Sequence, residues 1–292
     1  MRTLKKISAL RTECGKAVRP LVLVPTMGAL HVGHAALIRR ARQIAGEEGT
    51  VAASIFINPI QFNSSKDLAL YPRLEVADRR LCRELGVDIL FQPSAKEMYY
   101  EDCSVFVEEE VLSRGLCGAS RAGHFRGMCT VVAKLFNLFA PDAAVFGAKD
   151  YQQLAIVRRM VRDLNFPIRI IEHPTMREKD GLAMSSRNIR LSPEARKVAP
   201  AIYQALLRAK ANTGSPHQVL KKLRRDLELI PGVRMDYVEC VPAISPESAT
   251  HWLQSTVIAV AVFLGEVRLI DNIRIPQHRP NSLKKAANCS QA

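Results

Sequence analysis

The segment between residues 21 and 45 constrains the fold more than any other part of the chain. It opens with the apolar run LVLV, passes through the turn-forming sequence PTMG, and ends with apolar residues at helical spacing. A short apolar run with β-branched residues predicts a strand, whereas apolar residues three and four positions apart predict a helix. The segment therefore predicts a strand, a loop and a helix in direct succession.

The loop of this unit carries two histidines, His31 and His34, in the pattern H-x-G-H. Both imidazoles should project near the start of the helix, where unpaired backbone N–H groups and the helix dipole favour a phosphate. Gly28 and Gly33 leave room for a nucleotide to approach the backbone. Loops of this kind build nucleotidyl-transferring and adenylate-forming sites. Two histidines three residues apart also fit half of a metal site or a mutually satisfied pair, and the motif alone leaves these alternatives open.

Strand and helix patterns continue to alternate after this unit. The expected strands are residues 51–57, 87–91, 143–146 and 168–172, with a further short strand at 104–107. The expected helices are residues 74–85, 123–140 and 151–165. Alternation of this kind predicts an α/β fold with a mostly parallel sheet covered by helices on both faces.

The periodicity breaks between residues 174 and 193, in a loop rich in charged and small polar side chains, which indicates a domain boundary. We predict a Rossmann-like domain at residues 1–183 and a smaller α+β domain at residues 184–276. Residues 277–292 are expected to form a disordered tail. The helices, strand and hairpin expected in the smaller domain are residues 194–211, 216–229, 234–241 and 257–270.

Composition narrows the class of protein. The chain has 292 residues, 48% of them apolar, which is enough for a full core. Its seven cysteines include no C-x-x-C pair, so a reducing cytoplasm fits better than a disulfide-stapled secreted protein. The longest apolar run, residues 257–264, is too short to span a membrane. The basic N-terminus lacks the apolar region of a signal peptide, although an organelle transit peptide remains an alternative.

The net charge of +14 raises the question of a nucleic-acid partner. The basic residues, however, come in small groups at spacings that suit solvated helix faces, and aromatic residues make up only 6% of the chain. Single-strand binders interleave aromatic side chains with basic ones. The composition therefore favours an anionic small substrate over nucleic acid.

Two more motifs lie where they could join the histidines. Lys149 follows an expected strand, in a turn that should open at the same edge of the sheet, and an ammonium group there suits phosphate oxygens. Ser185, Ser186 and Arg187 lie in the long loop after residue 174, where hydroxyls and a guanidinium could hold phosphates. Taken singly, Lys149 is more often a surface lysine, and the loop is more often an interdomain linker.

Taken together, the motifs are specific. PTMGALHVGH, FINPIQF, LALYPR, SRAGHFRGMCTVVAKLFN, FGAKDYQQL and REKDGLAMSSRN occur in the order and spacing of one family. The chain resembles the pantothenate synthetase (pantoate–β-alanine ligase) family of the HIGH-motif nucleotidyltransferase superfamily over about residues 1–275. The resemblance implies a Rossmann-like nucleotidyltransferase domain, a smaller C-terminal domain and a homodimer. It also implies Mg-ATP as co-substrate, with no organic prosthetic group.

The implied reaction is the ATP-dependent condensation of (R)-pantoate with β-alanine. It gives pantothenate, AMP and diphosphate through a pantoyl-adenylate. The loop at residues 184–187 resembles the K-M-S-K-S loop of class I aminoacyl-tRNA synthetases. We expect no nucleic acid and no membrane among the partners.

The resemblance also assigns residues to roles. The implied catalytic groups are His34, His31, Lys149 and Arg187. The implied ATP contacts are Met27, Gly28, Ala29, Leu30, His31, Val32, Gly33, His34, Gly147, Ala148, Lys149, Asp150, Met176, Met184, Ser185, Ser186 and Arg187. The implied pantoate and β-alanine contacts are Gln61, Gln153, Asn58, Tyr71 and Arg126. Asp78 matches a position that resembles a magnesium contact.

The implied chemistry explains the residue types. The pantoate carboxylate is ionised at neutral pH, so its attack on the α-phosphate needs cations and N–H donors rather than a base. We expect His34, Lys149 and Arg187 to supply them. The amine of β-alanine must lose a proton in the second step, and either His34 or the substrate's own phosphate could accept it.

Two rival functions remain at this point. One keeps the fold but joins a nucleotide to a phosphorylated small molecule, which would require a cationic acceptor pocket where Gln61 and Gln153 suggest a neutral one. The other is an RNA-binding module that uses the positive charge. That function would want exposed aromatic side chains on a basic face, and the last hundred residues show no clear sign of one.

Overall fold

The computed structural model describes residues 1–212, 214–242 and 255–276. Their strands are β1 (Arg2–Leu4), β2 (Leu21–Thr26), β3 (Thr50–Ile55), β4 (Ile89–Phe91), β5 (Ala143–Gly147), β6 (Arg169–His173), β7 (Val233–Pro242), β8 (Ser255–Leu264) and β9 (Val267–Pro276). Their helices are α1 (Ile7–Cys14), α2 (Val32–Ala45), α3 (Ser65–Ala69), α4 (Glu75–Glu84), α5 (Ala95–Met98), α6 (Cys117–Ser120), α7 (His124–Phe139), α8 (Tyr151–Asp163), α9 (Pro193–Val198), α10 (Ala201–Ala211) and α11 (Pro216–Glu228). Short 3₁₀ turns lie at Pro59–Gln61, Ala148–Asp150 and Ser186–Arg190.

In the described part of the chain, the first six strands form one sheet in the order β1-β4-β3-β2-β5-β6, and every pairing is parallel. From β2 the chain runs outward through β3 and β4, then returns to place β5 and β6 on the other side of β2. The order therefore reverses between β2 and β5. Ligands of open α/β sheets bind in the crevice at such a switch point, beyond the carboxyl ends of the strands.

The sheet is buried on both faces. Leu21 and Leu23 of β2 pack into one core cluster with α1 and α7, whereas Val22 and Val24 pack into the opposite cluster with α2. Because successive side chains of a strand point to opposite faces, a strand covered on both sides is apolar throughout. This is why the continuous run LVLV folds as the centre of the sheet. The predicted Rossmann-like α/β class is confirmed.

The last three strands form a separate antiparallel sheet in the order β7-β8-β9, and α10 and α11 pack against it in a third core cluster. The expected helix at residues 194–211 divides into α9 and α10 around Pro200. Proline cannot donate the backbone hydrogen bond that would continue a helix. The expected hairpin forms about Gly265, whose φ of +58° suits a residue without a side chain. Leu182 packs in this third cluster, and the predicted boundary at residue 183 stays a prediction.

Two further details depart from the sequence analysis. The N-terminal strand β1 pairs with β4. The sequence analysis did not predict it, because three residues of mixed polarity show no periodic apolar pattern. The strand expected at residues 104–107 is absent, because the Val107 N–H donates to the Thr130 hydroxyl of α7 (3.0 Å) instead of to a sheet. The tail predicted at residues 277–292 lies outside the described residues. No helix in the described ranges is long and apolar enough to cross a membrane.

Candidate active site

The loop that leaves β2 is held by a buried carboxylate. Gly28 and Ala29 adopt positive φ angles of +83° and +49°, which turn the chain sharply. Asp78 of α4 is 2% exposed, and its two oxygens accept the backbone N–H groups of Ala29 (2.9 Å) and Leu30 (2.8 Å). A side chain at Gly28 would meet Ile55 at 3.0 Å and Asp78 at 3.1 Å. The Asp78 carboxylate therefore holds the loop backbone in this conformation.

His31 and His34 cap the first turn of α2 reciprocally. Nδ1 of His31 accepts the Gly33 N–H (3.1 Å), and Nδ1 of His34 accepts the His31 N–H (3.3 Å). A neutral imidazole that accepts at Nδ1 carries its proton on Nε2. The two rings lie 4.1 Å apart, centroid to centroid, so both Nε2–H groups lie close together at the start of the helix.

Both histidines are neutral at pH 7. Burial lowers the pKa of His31 to about 4 and the pKa of His34 to about 3. The nearby Lys149 ammonium contributes to both shifts, because it disfavours a second positive charge. Of the two roles expected for His34, cation or N–H donor, the low pKa favours the donor. The pair offers uncharged N–H donors.

Lys149 faces the histidines from the turn that follows β5. Its side chain is 18% exposed, and its Nζ lies 3.9 Å from the Asp150 carboxylate. The turn is held by the C-terminal sheet, since the side-chain amide of Asn272 in β9 donates to the carbonyl oxygens of Ala148 and Lys149, both at 2.9 Å. A residue of the smaller domain thus positions the lysine of the larger one.

The loop at residues 184–190 closes the site from the side of the C-terminal domain. The Ser185 hydroxyl accepts the Arg187 N–H (3.2 Å), and the Ser186 hydroxyl lies 3.3 Å from that of Tyr71. Arg187 and Arg190 both pair with Asp67 of α3, at 3.1 and 3.2 Å. Burial alone would raise the pKa of Asp67, but the two guanidinium groups lower it below its ordinary value.

These loops surround a cavity of about 210 Å³ at the switch point of the sheet. Twelve of the predicted ATP contacts line it, together with three of the predicted substrate contacts. The ATP set is Met27, His31, Gly33, His34, Gly147, Lys149, Asp150, Met176, Met184, Ser185, Ser186 and Arg187, and the substrate set is Gln61, Tyr71 and Gln153. The remaining predicted ATP residues shape the loops without lining this cavity: Gly28, Ala29, Leu30, Val32 and Ala148.

The part of the cavity around Gln61 combines one fixed side-chain amide with an apolar surface. Gln61 donates to the Met27 sulfur (2.8 Å) and accepts from Asn58 (3.0 Å). Met128, Val131 and Val132 of α7 line the same cavity. The sequence analysis missed these three residues, because a buried helix face gives the same apolar pattern whether it meets a core or a ligand. A small hydroxy acid with apolar substituents fits such a surface.

Asn58 and Arg126 have other surroundings than the resemblance implied. Asn58 is 1% exposed, donates to Gln61 and to the Gly127 carbonyl, and accepts from the Tyr99 hydroxyl, so its amide is used within the protein. Arg126 is exposed and lies over the Phe106 ring, 3.9 Å from its centroid. Neither residue lines the cavity. Asn58 instead positions Gln61.

Asp78 also has a different task from the implied magnesium contact. Both of its oxygens accept backbone hydrogen bonds and the residue is 2% exposed, which leaves a cation little access to it. Among the residues that the structure describes, no group of three or more His, Cys, Asp or Glu side chains could hold a metal ion. The metal role of Asp78 therefore has no support in this geometry.

The sequence analysis missed two residues that position the site, Asp67 and Asn272. Asn272 carried a weak signal, because a polar amide interrupts the apolar alternation of β9 beside Asp271. Asp67 carried none, since a lone aspartate in a polar turn is ordinary. Both act through contacts between segments far apart in the sequence, which only the fold brings together.

A parallel sheet with a histidine-capped helix at its switch point, and with lysine and arginine facing that helix across a cavity, defines a nucleotide-binding α/β enzyme. The family model for pantoate-beta-alanine ligase matches residues 1–274. The chain belongs to the pantoate–β-alanine ligase family, as the resemblance of its motifs indicated.

Individual relatives agree with this family. The pantothenate synthetase of Akkermansia muciniphila is 52% identical over 258 residues, which cover 87% of this chain and 92% of that protein. The pantothenate synthetase of Pseudomonas savastanoi pv. phaseolicola is 46% identical over 284 residues, which cover 94% of this chain and 99% of that protein.

Two solved structures give the same result. The crystal structure of pantothenate synthetase from Thermus thermophilus matches with a TM-score of 0.86 and 45% identity, covering 94% of this chain and 100% of that one. The pantoate-beta-alanine ligase of Francisella tularensis, complexed with beta-gamma ATP and beta-alanine, matches with a TM-score of 0.78 and 33% identity. That match covers 94% of this chain and 97% of the other.

Proposed function

We propose that this protein condenses (R)-pantoate with β-alanine at the expense of ATP, releasing AMP and diphosphate. Family membership over residues 1–274 supports the reaction. One observation supports this cavity as the place of the reaction. Its walls bring together the cationic and histidine side chains and the two glutamines expected from the sequence: His31, His34, Lys149, Arg187, Gln61 and Gln153.

In the first step, a pantoate carboxylate oxygen attacks the α-phosphorus of ATP and diphosphate leaves. The carboxylate is already ionised, so no base takes part. The Nε2–H groups of His31 and His34 donate to the phosphate oxygens, and Lys149 and Arg187 balance the charge that develops as diphosphate departs. Neutral histidines add donors to this site without adding positive charge beside Lys149.

In the second step, the amine of β-alanine attacks the acyl carbonyl, an amide C–N bond forms, and AMP leaves. A histidine whose pKa lies near 3 is a poor proton acceptor at neutral pH. We therefore assign the proton to the departing AMP phosphate, whose second pKa is about 6. The contact between Ser186 and Tyr71 supports a closed loop that keeps water from the acyl-adenylate.

Magnesium enters this scheme as part of the substrate, Mg-ATP. Mg²⁺ in nucleotide sites is held mainly by phosphate oxygens, one or two carboxylates and water. Asp150 lines the cavity and its side chain is 49% exposed, so it is the carboxylate that we propose for this contact in place of Asp78. The ion would offset the negative charge of the phosphates.

The homodimer and the cytoplasmic location stay proposals. Three of the most exposed apolar side chains lie between residues 100 and 111: Tyr100, Val105 and Val111 are 78%, 82% and 67% exposed. We propose this surface as the contact with a second copy of the chain. Light scattering on wild type and Val105→Asp would test it, since a dimer that the variant leaves intact would exclude this surface. Fractionation of cells would test the location.

Diphosphate and AMP release from Mg-ATP and (R)-pantoate, measured with and without β-alanine, tests the reaction. We expect diphosphate with pantoate alone and AMP only after β-alanine is added. His34→Ala should slow diphosphate release about 100- to 1,000-fold, the usual effect of removing one transition-state donor. If pantoate elicits no diphosphate, the acceptor is wrong and phosphorylated acceptors should be tested next.

A further inference from the structure

A second cavity of about 330 Å³ adjoins the first and lies between the two domains. The two cavities share Lys149, Gln153 and Arg187 in their walls. The second one extends from these residues toward α6 and the antiparallel sheet, where Arg121 and Arg268 line it. It therefore extends the proposed active site away from the histidine loop, on the side of Gln61 and Gln153.

The arginines of this cavity differ in how their charge is balanced. Arg187 and Arg190 share Asp67, and Arg268 pairs with Asp236 at 2.7 Å. Arg121 is partly buried and makes no ion pair with any residue that the structure describes. Burial and the nearby Arg187 and Arg268 lower the pKa of Arg121 to about 10, which still leaves it charged at neutral pH.

A neutral histidine connects Arg121 to the part of the site around Gln61. His124 Nδ1 lies 2.8 Å from the backbone carbonyl oxygen of Gln61, so this nitrogen carries the proton and donates it. Its Nε2 is then an acceptor for the Arg121 guanidinium, 3.0 Å away. Burial and the charge of Arg121 lower the pKa of His124 to about 3, which keeps the imidazole neutral. Arg121 is thus held one imidazole away from Gln61.

We propose that Arg121 binds the carboxylate of β-alanine in this second cavity and selects amines that carry an anionic group. The inference rests on the proposed function and adds a binding residue to it. A partly buried cation without a carboxylate partner is costly unless a ligand supplies the anion. β-Alanine is the substrate whose far end is an anion and whose amine must reach the acyl group beside Gln61 and Gln153. In the proposed function, Lys149 and Arg187 are taken up by the ATP phosphates.

Competition between β-alanine and its amide, β-alaninamide, tests the proposal, because the amide keeps the amine and loses the charge. Wild type should prefer β-alanine in kcat/KM by about 10- to 100-fold, the range expected for a hydrogen bond to a charged group. Arg121→Gln should raise KM for β-alanine by a similar factor and leave KM for β-alaninamide within about twofold. Arg121→Lys should restore part of the preference.

Diphosphate release without β-alanine separates this proposal from the reaction itself. Arg121→Gln should keep the pantoate-dependent rate, and Arg114→Gln, at an exposed arginine nearby, should match wild type in every assay. Equal use of both amines by wild type would overturn the proposal without any variant. A variant that slows diphosphate release, or raises KM for ATP, would place Arg121 on the phosphates instead. Absence of diphosphate release from wild type would refute the proposed function as well.

Discussion

The two walls of the nucleotide cavity are built in different ways. The fixed wall, residues 27–34, is held by backbone hydrogen bonds to the buried Asp78 and by the reciprocal caps of His31 and His34. The adjustable wall, residues 184–190, is held by ion pairs from Arg187 and Arg190 to Asp67, whose side chains are 23% to 31% exposed. Among the described residues, the fixed wall is held without any ion pair, whereas the adjustable wall adds to its hydrogen bonds two ion pairs for which a triphosphate can compete.

The energies of the two kinds of contact explain this division. A buried N–H group that loses its acceptor costs about 1–3 kcal/mol, whereas an exposed ion pair contributes about 0–1 kcal/mol. The fixed wall can therefore hold donors in place for the α-phosphate throughout the reaction. The adjustable wall can exchange Asp67 for phosphate oxygens at little cost, and can open to release diphosphate and AMP.

The largest effect is expected from Asp78→Ala, which breaks the fixed wall. Two buried N–H groups lose their acceptors, so the free energy of unfolding should fall by about 2–5 kcal/mol in urea denaturation. Diphosphate release should fall more than about tenfold, because the displaced loop no longer aims its donors at the α-phosphate. Arg80→Ala, at an exposed position of the same helix, should stay within about 0.5 kcal/mol of wild type. Unchanged stability with weaker Mg²⁺ dependence would restore the metal role of Asp78.

The pH dependence of stability should report the neutral histidines of the fixed wall. Their folded pKa values lie below the unfolded value of 6.5, so the unfolded state binds more protons as the pH falls below that value. Between pH 7 and 5 each histidine should cost at most about 2 kcal/mol of unfolding free energy. His34→Gln, which can keep the capping contact, should lose less stability over this range than wild type. Identical pH profiles would show that His34 is not held neutral.

Asn272→Asp tests how the C-terminal sheet positions Lys149, the lysine that faces the two histidines of the fixed wall. The carboxylate cannot donate to the Ala148 and Lys149 carbonyl oxygens and would repel them. We expect diphosphate release to fall about tenfold, with KM for β-alanine little changed, because a displaced Lys149 affects the phosphates first. Pre-steady-state diphosphate assays would measure this. An equal loss in both half-reactions would indicate general disruption instead.

The smallest effect is expected from Asp67→Asn, which loosens the adjustable wall. Stability should change by less than about 1 kcal/mol, because the lost ion pairs are partly exposed. More adenylate should hydrolyse without forming amide, since the loop closes less tightly. Arg190→Gln should reproduce this result, as it removes one of the same contacts. A large loss of stability would place Asp67 with the fixed wall.

The sequence predicted the parts of the site that local patterns encode. The run LVLV, the glycines and the histidine pair fix a strand, a turn and a helix N-terminus within one short segment, residues 21–45. Gly28 is needed because its φ of +83° is an angle that residues with side chains rarely adopt. Lys149 and the loop at residues 184–187 were located by their positions after strands and within known motifs. The short strand β1 was missed because so few residues carry no periodic signal.

The tertiary structure decided the charges and the supports. By sequence alone His34 has an ordinary pKa and serves as a cation or a base, but burial beside Lys149 makes it a neutral donor. Asp78 and Asn58 carry residue types suited to ligands, yet their polar atoms are used to hold the loop and Gln61. Residue identity sets which groups can bind or ionise. Burial and contacts between distant segments set which of them do, because both depend on neighbours that the order of the chain does not specify.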